Sequence, residues 1–370
     1  MRALRALFAG FDIWLFGIAL VLSCLGLVTM YSYLGENTYF QHQVLWIVIS
    51  FSFLIAASIP DYRFLRMGNS VFFIYLTICI SLVLVLFLGA VVKGAQSRFN
   101  LGIFSLQPAD PAKLVLIIVL AKYFSKRHVE IADIRHIIIS GLYAFVIFGL
   151  VLIQPDFGSA VILFSVWFGM VLVSGISFRH LALVFLMGTI AFGGLWSFGF
   201  REYQKDRIRT FLHPLANIRG TGYNEYQSMI AAGSGQLMGK GIGYGTQSKL
   251  QFLPEYETDF IFAAFAEEWG FFGVLFVFAL FAAGIWRIVW RALSAETNFE
   301  RLFGAGFAIL LTTHFFVHIG MNIGLLPVTG TTVPFLSYGG SHLITECVGI
   351  GMFIGMTKRK VRPSFEPEYL

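Results

Sequence analysis

Long apolar runs separated by short polar segments make up most of this chain. A helix that crosses a membrane needs about 20 predominantly apolar residues. Ten runs approach this length, at about residues 11–33, 42–59, 71–92, 110–124, 136–153, 157–175, 180–199, 259–286, 302–320 and 338–357. The pattern predicts an all-α polytopic membrane protein with about ten transmembrane helices, forming one integral membrane domain over residues 1–370.

One polar segment, residues 201–258, is much longer than the others and ends directly before the eighth run. Asp259 stands at the junction between this segment and the apolar run, in the stretch 245–260 (GTQSKLQFLPEYETDF). An acid at the mouth of an apolar helix is costly to place, so Asp259 is a functional-site hypothesis. The alternative is that it only marks the water boundary of a helix N-terminus, where negative charge suits the helix dipole.

Composition and charge support the membrane interpretation and orient the chain. Hydrophobic residues make up 57% and charged residues 12%, with a mean hydropathy of +0.78, which excludes a soluble globular protein. Ten spans put both termini on one side. A cytoplasmic N-terminus then places 16 of the 26 Lys and Arg residues in cytoplasmic segments, and 201–258 becomes a long extracytoplasmic loop. The net charge of +6 is therefore a topology signal, and no nucleic-acid binding is expected.

Each pair of consecutive spans returns the chain to the same side of the membrane. Four polar segments, separated by two spans each, therefore lie on one face. They are the turn QPAD at 107–110, the turn QPD at 154–156, the long segment 201–258 and the loop PVTGTTVPFLSYGG at 327–340. Asp110 and Lys113 are three positions apart at the start of a helix, so their side chains can pair. This pair either belongs to an outward-facing site or only neutralises charge where the helix enters the membrane.

Basic residues of the long segment are candidates for binding phosphate. Arg201, Lys205, Arg207 and Arg209 lie within nine residues, and Lys240 lies in the glycine-rich stretch 233–245. Guanidinium groups bind phosphate bidentately. Such a cluster is equally typical of a solvated face or of a contact with lipid headgroups.

Two pairs of polar side chains lie within the later apolar runs, and neither pair requires a catalytic role. Glu267 and Glu268 are deeper along the eighth run than Asp259 and are interpreted as pairing within the helical bundle. His314 and His318 have a spacing that can ligate a metal, but no acidic third ligand sits beside them in the sequence.

Motifs across most of the chain resemble the SEDS family, the shape, elongation, division and sporulation membrane proteins. They are QPADPAK, QPDFG, GYNEYQSMIAAGSG, GKG, GTQS, FLPEYETDFIFAAFAEEWG and LLPVTGTTVPFLSYGGS, in the order of the family. The turn Pro327–Gly330 and the compact termini look more like the RodA subfamily of elongation than the FtsW subfamily of division. One departure is that the family usually has QPSE where this chain has QPAD followed by Pro111.

The resemblance implies a peptidoglycan glycosyltransferase of the bacterial cytoplasmic (inner) membrane that polymerises lipid II for cell elongation and shape. It also implies a class B penicillin-binding protein and other membrane proteins of the elongation complex as partners. The essential acid of the family falls on Asp259. The substrate-binding set carried over or inferred beside it is Asp110, Lys113, Asp156, Arg207, Lys240, Gln247 and Ser248.

The chemistry that the resemblance implies agrees with these residue types. The donor sugar carries a polyprenyl diphosphate, a good leaving group, so one base for the acceptor hydroxyl and cations for the diphosphate suffice. No organic cofactor is expected, and a divalent cation, magnesium or manganese, is compatible with the reaction. The alternatives are a flippase for lipid II and a non-catalytic scaffold of the wall-synthesis complex.

Overall fold

The computed structural model describes residues 10–31, 38–92, 95–100, 102, 105–126, 134–200, 202–213, 220 and 222–358. The ten predicted runs all fold as helices within these ranges. In chain order the described helices are α1 (Ile13–Tyr31), α2 (Thr38–Ala57), α3 (Arg63–Met67), α4 (Ser70–Leu88), α5 (Ala109–Ser125), α6 (Ile134–Ile153), α7 (Phe157–Val173), α8 (Phe178–Gly194), α9 (Glu202–Leu212), α10 (Tyr223–Ser234), α11 (Thr246–Lys249), α12 (Ile261–Leu293), α13 (Asn298–Asn322) and α14 (Gly340–Thr357). A π-helical turn, Leu195–Gly199, extends α8.

Seven of the described helices are long and apolar enough to cross a membrane: α1, α2, α4, α6, α8 with its π turn, α12 and α13. The other three predicted spans, α5, α7 and α14, have 17 or 18 residues. Such helices are about 26 Å long, slightly shorter than the hydrocarbon layer of a membrane. α5 is buried along most of its length among α4, α6, α7, α13 and α14, so protein rather than lipid surrounds it. The chain is a multi-pass helical membrane protein.

A small antiparallel sheet departs from the all-helical expectation. It contains β1 (Ala90–Val92), β2 (Ala95–Asn100) and β3 (Ser105–Leu106), in that spatial order. The sequence predicts that the third span reaches residue 92, but α4 ends at Leu88 and Gly89 is extended. Periodicity cannot separate a short apolar strand from the last turn of an apolar helix. The sheet leads the chain into the turn that starts α5.

α12 is broken at Gly270, nearer its start than its end, whereas the sequence predicts one continuous helix there. Gly270 has a φ of 67° and a ψ of −169°, which interrupts the helical backbone. This conformation is open to glycine and strained for other residues. The break leaves backbone groups of α12 without helical partners, and the segment 235–241 pairs with them, as described below.

The ends of three helices are held together on the side of the bundle away from this break. Asp12 is buried just before α1 and pairs with Arg287 and Arg291 of α12, both at 2.8 Å. Arg291 also donates to the carbonyl of Thr357 at the end of α14. Burial raises the pKa of Asp12, but the hydrogen bonds from Arg291 and Arg287 outweigh this and hold it below its usual value. The start of α1 and the end of α14 therefore lie at the same end of the bundle, as an even number of spans requires.

Candidate active site

Asp259 lies in a turn directly before α12, and its side chain is half-buried. The N–H of Asp259 donates to the carbonyl of Glu255 at 3.1 Å, which closes the turn. The side-chain amide of Asn322, at the end of α13, donates to the carbonyl of Asp259 at 3.0 Å and accepts from the N–H of Ala263 at 3.2 Å. Asn322 is fully buried, so it fixes the backbone on both sides of the helix entrance.

Two other acids and a tyrosine share this turn with Asp259. The hydroxyl of Thr258 donates to the carboxylate of Glu255 at 3.3 Å. Burial, reinforced by the nearby carboxylate of Glu257, raises the pKa of Tyr256 to about 12. The Tyr256 hydroxyl is therefore protonated at neutral pH and can donate a hydrogen bond. Asp259 is the acid of this turn that stands next to the first residues of α12.

The loop of residues 327–339 lies against the turn and forms a wall beside Asp259. Two hydrogen bonds join them: Tyr338 N–H to the Glu257 carbonyl at 2.9 Å, and Ser337 Oγ to the Thr258 carbonyl at 3.1 Å. Gly330, which has a φ of 72°, faces the carboxylate. A Cβ atom added at Gly330 would lie 3.5 Å from Oδ2 of Asp259. The PVTG part of the loop thus approaches the acid directly.

Arg207 reaches the same loop from α9. Its Nη1 donates to the carbonyl of Val328 at 3.2 Å, and its side chain is exposed. Arg207, Phe157 and Val328 also line one small cavity. A Cβ atom at Gly158 would meet the carbonyl oxygen of Thr329 at 2.6 Å, so the QPDFG turn packs tightly on the loop. The loop therefore contacts two of the other three polar segments that the sequence places on its face, the segment 201–258 and the QPD turn.

The other described members of the predicted basic cluster form ion pairs within α9. Arg201 lies outside the described residues. Lys205 and Arg209 pair with acids of their own helix: Lys205 with Glu202 at 3.3 Å, and Arg209 with Asp206 at 3.0 Å. Such pairs near solvent contribute little to stability. The structure thus separates Arg207, on the loop, from residues that belong to the surface of α9.

Gln107 joins the two Gln-Pro turns. Its Nε2 donates to Oδ2 of Asp156 at 2.7 Å, while Oδ1 of Asp156 accepts the N–H of Ser159 at 3.0 Å and caps α7. The N–H of Gln107 also donates to the hydroxyl of Ser341 at 3.2 Å. The two turns meet, as span parity predicts. Both carboxylate oxygens of Asp156 contact protein donors, and its part in substrate binding stays a prediction.

The predicted ion pair between Asp110 and Lys113 is confirmed, with 3.1 Å between Oδ1 and Nζ. The two side chains are only 8% and 5% exposed, so the pair is buried at the start of α5. His342 and Glu346 of α14 extend this cluster, and sequence reasoning missed both. Their spacing of four residues on an otherwise apolar helix is the signal that could have identified them.

Glu267 gathers three of the predicted substrate-binding residues around one buried carboxylate. Its contacts are Lys240 Nζ at 2.7 Å, Thr246 N–H at 2.9 Å, Gln247 N–H at 3.1 Å and Ser248 Oγ at 3.2 Å. The Glu267 side chain has no exposed surface, whereas Lys240 is 29% exposed. Glu267 is paired, as expected, but its partners belong to the preceding polar segment rather than to another apolar run. Substrate contacts of Lys240, Gln247 and Ser248 stay a prediction.

The glycine-rich segment 235–241 completes the backbone of α12 where Gly270 breaks it. Four hydrogen bonds join them: Lys240 N–H to Glu267 O at 2.9 Å, Gly241 N–H to Glu268 O at 3.0 Å, Phe271 N–H to Gln236 O at 2.8 Å, and Phe272 N–H to Leu237 O at 3.2 Å. Side chains at Gly235 and Gly239 would clash with the carbonyls of Ala266 and Glu268. A break in the backbone of a membrane helix needs such internal partners. Part of the long polar segment is therefore built into the helical core.

The two histidines of α13 bind backbone carbonyls of the loop through Nδ1: His314 to Thr332 at 3.3 Å, and His318 to Thr331 at 2.6 Å. Both side chains are buried. Across the part of the chain that the structure describes, no three His, Cys, Asp or Glu side chains are arranged to hold a metal ion. The two histidines therefore hold the loop.

Known proteins share this sequence and fold. Residues 4–361 match the cell cycle protein family of FtsW, RodA and SpoVE. The peptidoglycan glycosyltransferase MrdB of Escherichia coli K12 is 38% identical over 290 residues, which cover 78% of each chain. A chain solved for the structural coordination of polymerization and crosslinking by a peptidoglycan synthase complex is 28% identical, with a TM-score of 0.80 over 94% of this chain and 97% of that one. The Rod shape determining protein RodA of Thermus thermophilus is 27% identical, with a TM-score of 0.72 over 95% and 98%.

Proposed function

The chain belongs to the FtsW/RodA/SpoVE family, and we propose that it polymerises lipid II into the glycan strands of peptidoglycan, with Asp259 as the general base. The position of Asp259 supports its assignment as the base. Its backbone is fixed by the buried amide of Asn322, and its half-buried carboxylate faces Gly330 of the loop 327–339. A base must be held in a fixed position and still be reachable by substrate.

In the reaction, an acceptor sugar hydroxyl transfers its proton to the Asp259 carboxylate. The hydroxyl oxygen bonds to the anomeric carbon of the donor, and the bond from that carbon to the diphosphate breaks. The polyprenyl diphosphate leaves with the electron pair. A glycosidase needs a second carboxyl group to protonate a poor leaving group, but a diphosphate needs positive charge instead.

Arg207 is the strongest candidate for that positive charge. Its guanidinium is exposed and donates to a carbonyl, Val328, rather than to an acid. Lys113 and Lys240 are already paired with Asp110 and Glu267, so their charges are largely balanced. Guanidinium is also suited to bidentate phosphate contacts. Lys113, Lys240, Gln247, Ser248, Asp110 and Asp156 complete the proposed substrate site.

A divalent cation, magnesium or manganese, would act in addition to these protein groups. Among the described residues, no three His, Cys, Asp or Glu side chains are arranged to hold it. Titration of the purified enzyme with a chelator, followed by return of each ion, measures whether turnover depends on one.

The orientation follows from the distribution of Lys and Arg along the chain. Both termini are cytoplasmic in a bacterial inner membrane, and the site opens on the outer face. The partners are a class B penicillin-binding protein, which crosslinks the strands, and other membrane proteins of the elongation complex. Support for this partner comes from the similarity to a chain of a peptidoglycan synthase complex.

Incubation of the purified protein in detergent with lipid II tests the proposal. Glycan strands separated by gel electrophoresis are the expected product. A flippase or a scaffold would leave lipid II unpolymerised. Movement of lipid II across proteoliposome membranes without any polymer would favour the flippase and overturn the glycosyltransferase.

A further inference from the structure

A buried row of charged side chains supports the end of the loop 327–339. Two of its members, His342 and Glu346, have no role in the reaction proposed for Asp259. The row consists of Lys113, Asp110, His342 and Glu346, each no more than 9% exposed. The spacings are 3.1 Å from Lys113 Nζ to Asp110 Oδ1, 3.9 Å from that oxygen to His342 Nδ1, and 2.8 Å from His342 Nε2 to Glu346 Oε1. A carboxylate thus stands on each side of the imidazole.

The position of His342 between two carboxylates favours its protonated form. A neutral imidazole carries one N–H and one lone pair, so one nitrogen would direct its lone pair at a carboxylate oxygen. The imidazolium carries an N–H on both nitrogens. His342 Nε2 and Glu346 Oε1 lie 2.8 Å apart, and neither of these two atoms has a hydrogen-bond partner in the structure. An imidazolium would make this contact an ion pair.

The charge of the row as a whole depends on His342. With an imidazolium the two cations and two carboxylates sum to zero, whereas a neutral ring leaves one uncompensated negative charge. An unpaired charge inside a protein is strongly destabilising. Neutrality of the row therefore requires the proton on His342 while both carboxyl groups are ionised.

The other groups facing His342 do not replace its charge. The ring of His314 lies 5.0 Å from the ring of His342, between centroids, and His318 lies one turn further along α13. Both of these histidines are buried and each uses Nδ1 on a loop carbonyl. A third cation close to Lys113 and His342 would be repelled, so both rings are assigned as neutral. From α2, the groups at this end of α14 are uncharged: Gln43, bonded to Gly339, and Trp46, packed on Gly340.

The row is connected to the catalytic acid through the loop. Oε2 of Glu346 accepts the N–H of Phe335 at 2.9 Å, and Phe335 has a φ of 64°, which is unusual for a non-glycine residue. Two residues later, Ser337 donates to the carbonyl of Thr258, next to Asp259. A shift of Glu346 would therefore move the wall of the site.

We propose that His342 is a positioning residue for glycosyl transfer: as an imidazolium it neutralises the buried carboxylates of Asp110 and Glu346, and so holds the loop 327–339 in place beside Asp259. The proposal rests on the proposed glycosyltransferase activity for its kinetic readout. His342 does not touch substrate in this role, so its loss acts on turnover through the loop.

Charge compensation between two variants tests the proposal. His342→Gln leaves the row with one net negative charge, and we expect kcat to fall by roughly tenfold or more with a smaller change in KM. The double variant H342Q/E346Q restores neutrality, with Lys113 against Asp110, and should recover most of this loss. Two independent structural defects would instead add, and a double variant as impaired as the sum of the singles would overturn the proposal.

A control on the same helix separates the charge of the row from other effects of substitution in α14. Thr345→Val is this control, since its hydroxyl bonds to the Ser341 carbonyl in the structure, and it should keep wild-type turnover. A His342→Gln enzyme with wild-type turnover would overturn the proposal.

Thermal unfolding in detergent, without lipid II, separates this proposal from the activity. His342→Gln should unfold at lower temperature than wild type, and the double variant should regain most of the difference. If wild type makes no glycan, the proposed function fails, while this compensation still tests the charge balance. If neither variant folds, compensation is absent and the proposal fails.

Discussion

The side-chain amide of Asn322 donates to the backbone oxygen of Asp259 at 3.0 Å, across the gap between the end of α13 and the start of α12. The same side chain also donates to the carbonyl of His318 at 2.8 Å and accepts from the hydroxyl of Ser228 at 3.3 Å. One buried amide thus links three helices at the point where the proposed base is held. A hydrogen-bonding group in this position leaves several buried partners unsatisfied when it is removed.

Replacement of Asn322 by Ala should therefore lower both stability and turnover. We expect the free energy of unfolding to fall by ~1–3 kcal/mol, because buried donors and acceptors lose their partner. Thermal unfolding in detergent and the rate of glycan formation measure the two effects. Asn224→Ala, at an exposed position on α10, is the control. Unchanged stability and rate in Asn322→Ala would contradict the role of this amide.

Asp259→Asn should keep the fold and lose the reaction. Asn has nearly the same shape but cannot accept the proton, and general-base catalysis contributes roughly 10²–10⁴ in rate. Strand formation from lipid II should fall at least by the lower figure, while binding of the penicillin-binding protein persists. Glu255→Gln and Glu257→Gln should lose much less. Equal losses at all three acids would point instead to a diffuse acidic or metal-binding patch.

Lys113→Ala should abolish activity, because it strands Asp110 inside the protein. Breaking a buried ion pair from one side typically costs ~3–5 kcal/mol. Asp110→Glu keeps the charge and introduces the residue usual in the family, so it should be tolerated. The rate of glycan synthesis and the unfolding temperature of both variants, each compared with wild type, test these expectations. A fully active Lys113→Ala enzyme would remove this pair from the site.

Glu267→Gln should destabilise the glycine-rich segment more than Lys240→Met does. Glutamine keeps one acceptor oxygen but turns its NH2 group toward some of the donors that now face the carboxylate, on the side of either Thr246 or Ser248. Glu267 without Lys240 keeps all of these donors. Limited proteolysis of the segment and thermal unfolding distinguish the two variants. Glu296→Gln, at an exposed position, should match wild type. Equal effects of the two substitutions would show that Lys240, rather than the full donor set, determines the stability.

The orientation of the chain can be measured by cysteine labelling in intact cells. Asn224→Cys and Ser294→Cys are both at exposed positions, the first in the segment 201–258 and the second after α12. A reagent that cannot cross the membrane should label the cysteine at 224 and miss the one at 294. Cys24, Cys79 and Cys347 are first replaced by Ala to remove the background. The reverse pattern would place the site on the cytoplasmic face.

The sequence by itself determined the ten long apolar helices and most of their ends. An apolar segment in a membrane must satisfy its backbone internally, so each long apolar run specifies a helix without knowledge of its neighbours. The pairing of Asp110 with Lys113 was equally predictable, because residues three apart on a helix face the same way. Span parity also placed the segment before Asp259 and the loop at 327–340 on one face, and the structure brings the two together.

Only the tertiary structure decided which distant residues meet. Lys240 and Glu267 are separated by 27 positions, and Gln107 and Asp156 by 49. Helical periodicity predicts contacts only between residues a few positions apart, so it predicts neither of these pairs. The break at Gly270 is also invisible in the sequence, since an isolated glycine fits an unbroken apolar helix as well. Its conformation depends on the backbone of 235–241, which supplies the missing hydrogen bonds. Local periodicity specifies what each segment can form, whereas packing between segments decides which polar groups are buried together and so where the charges of the site must lie.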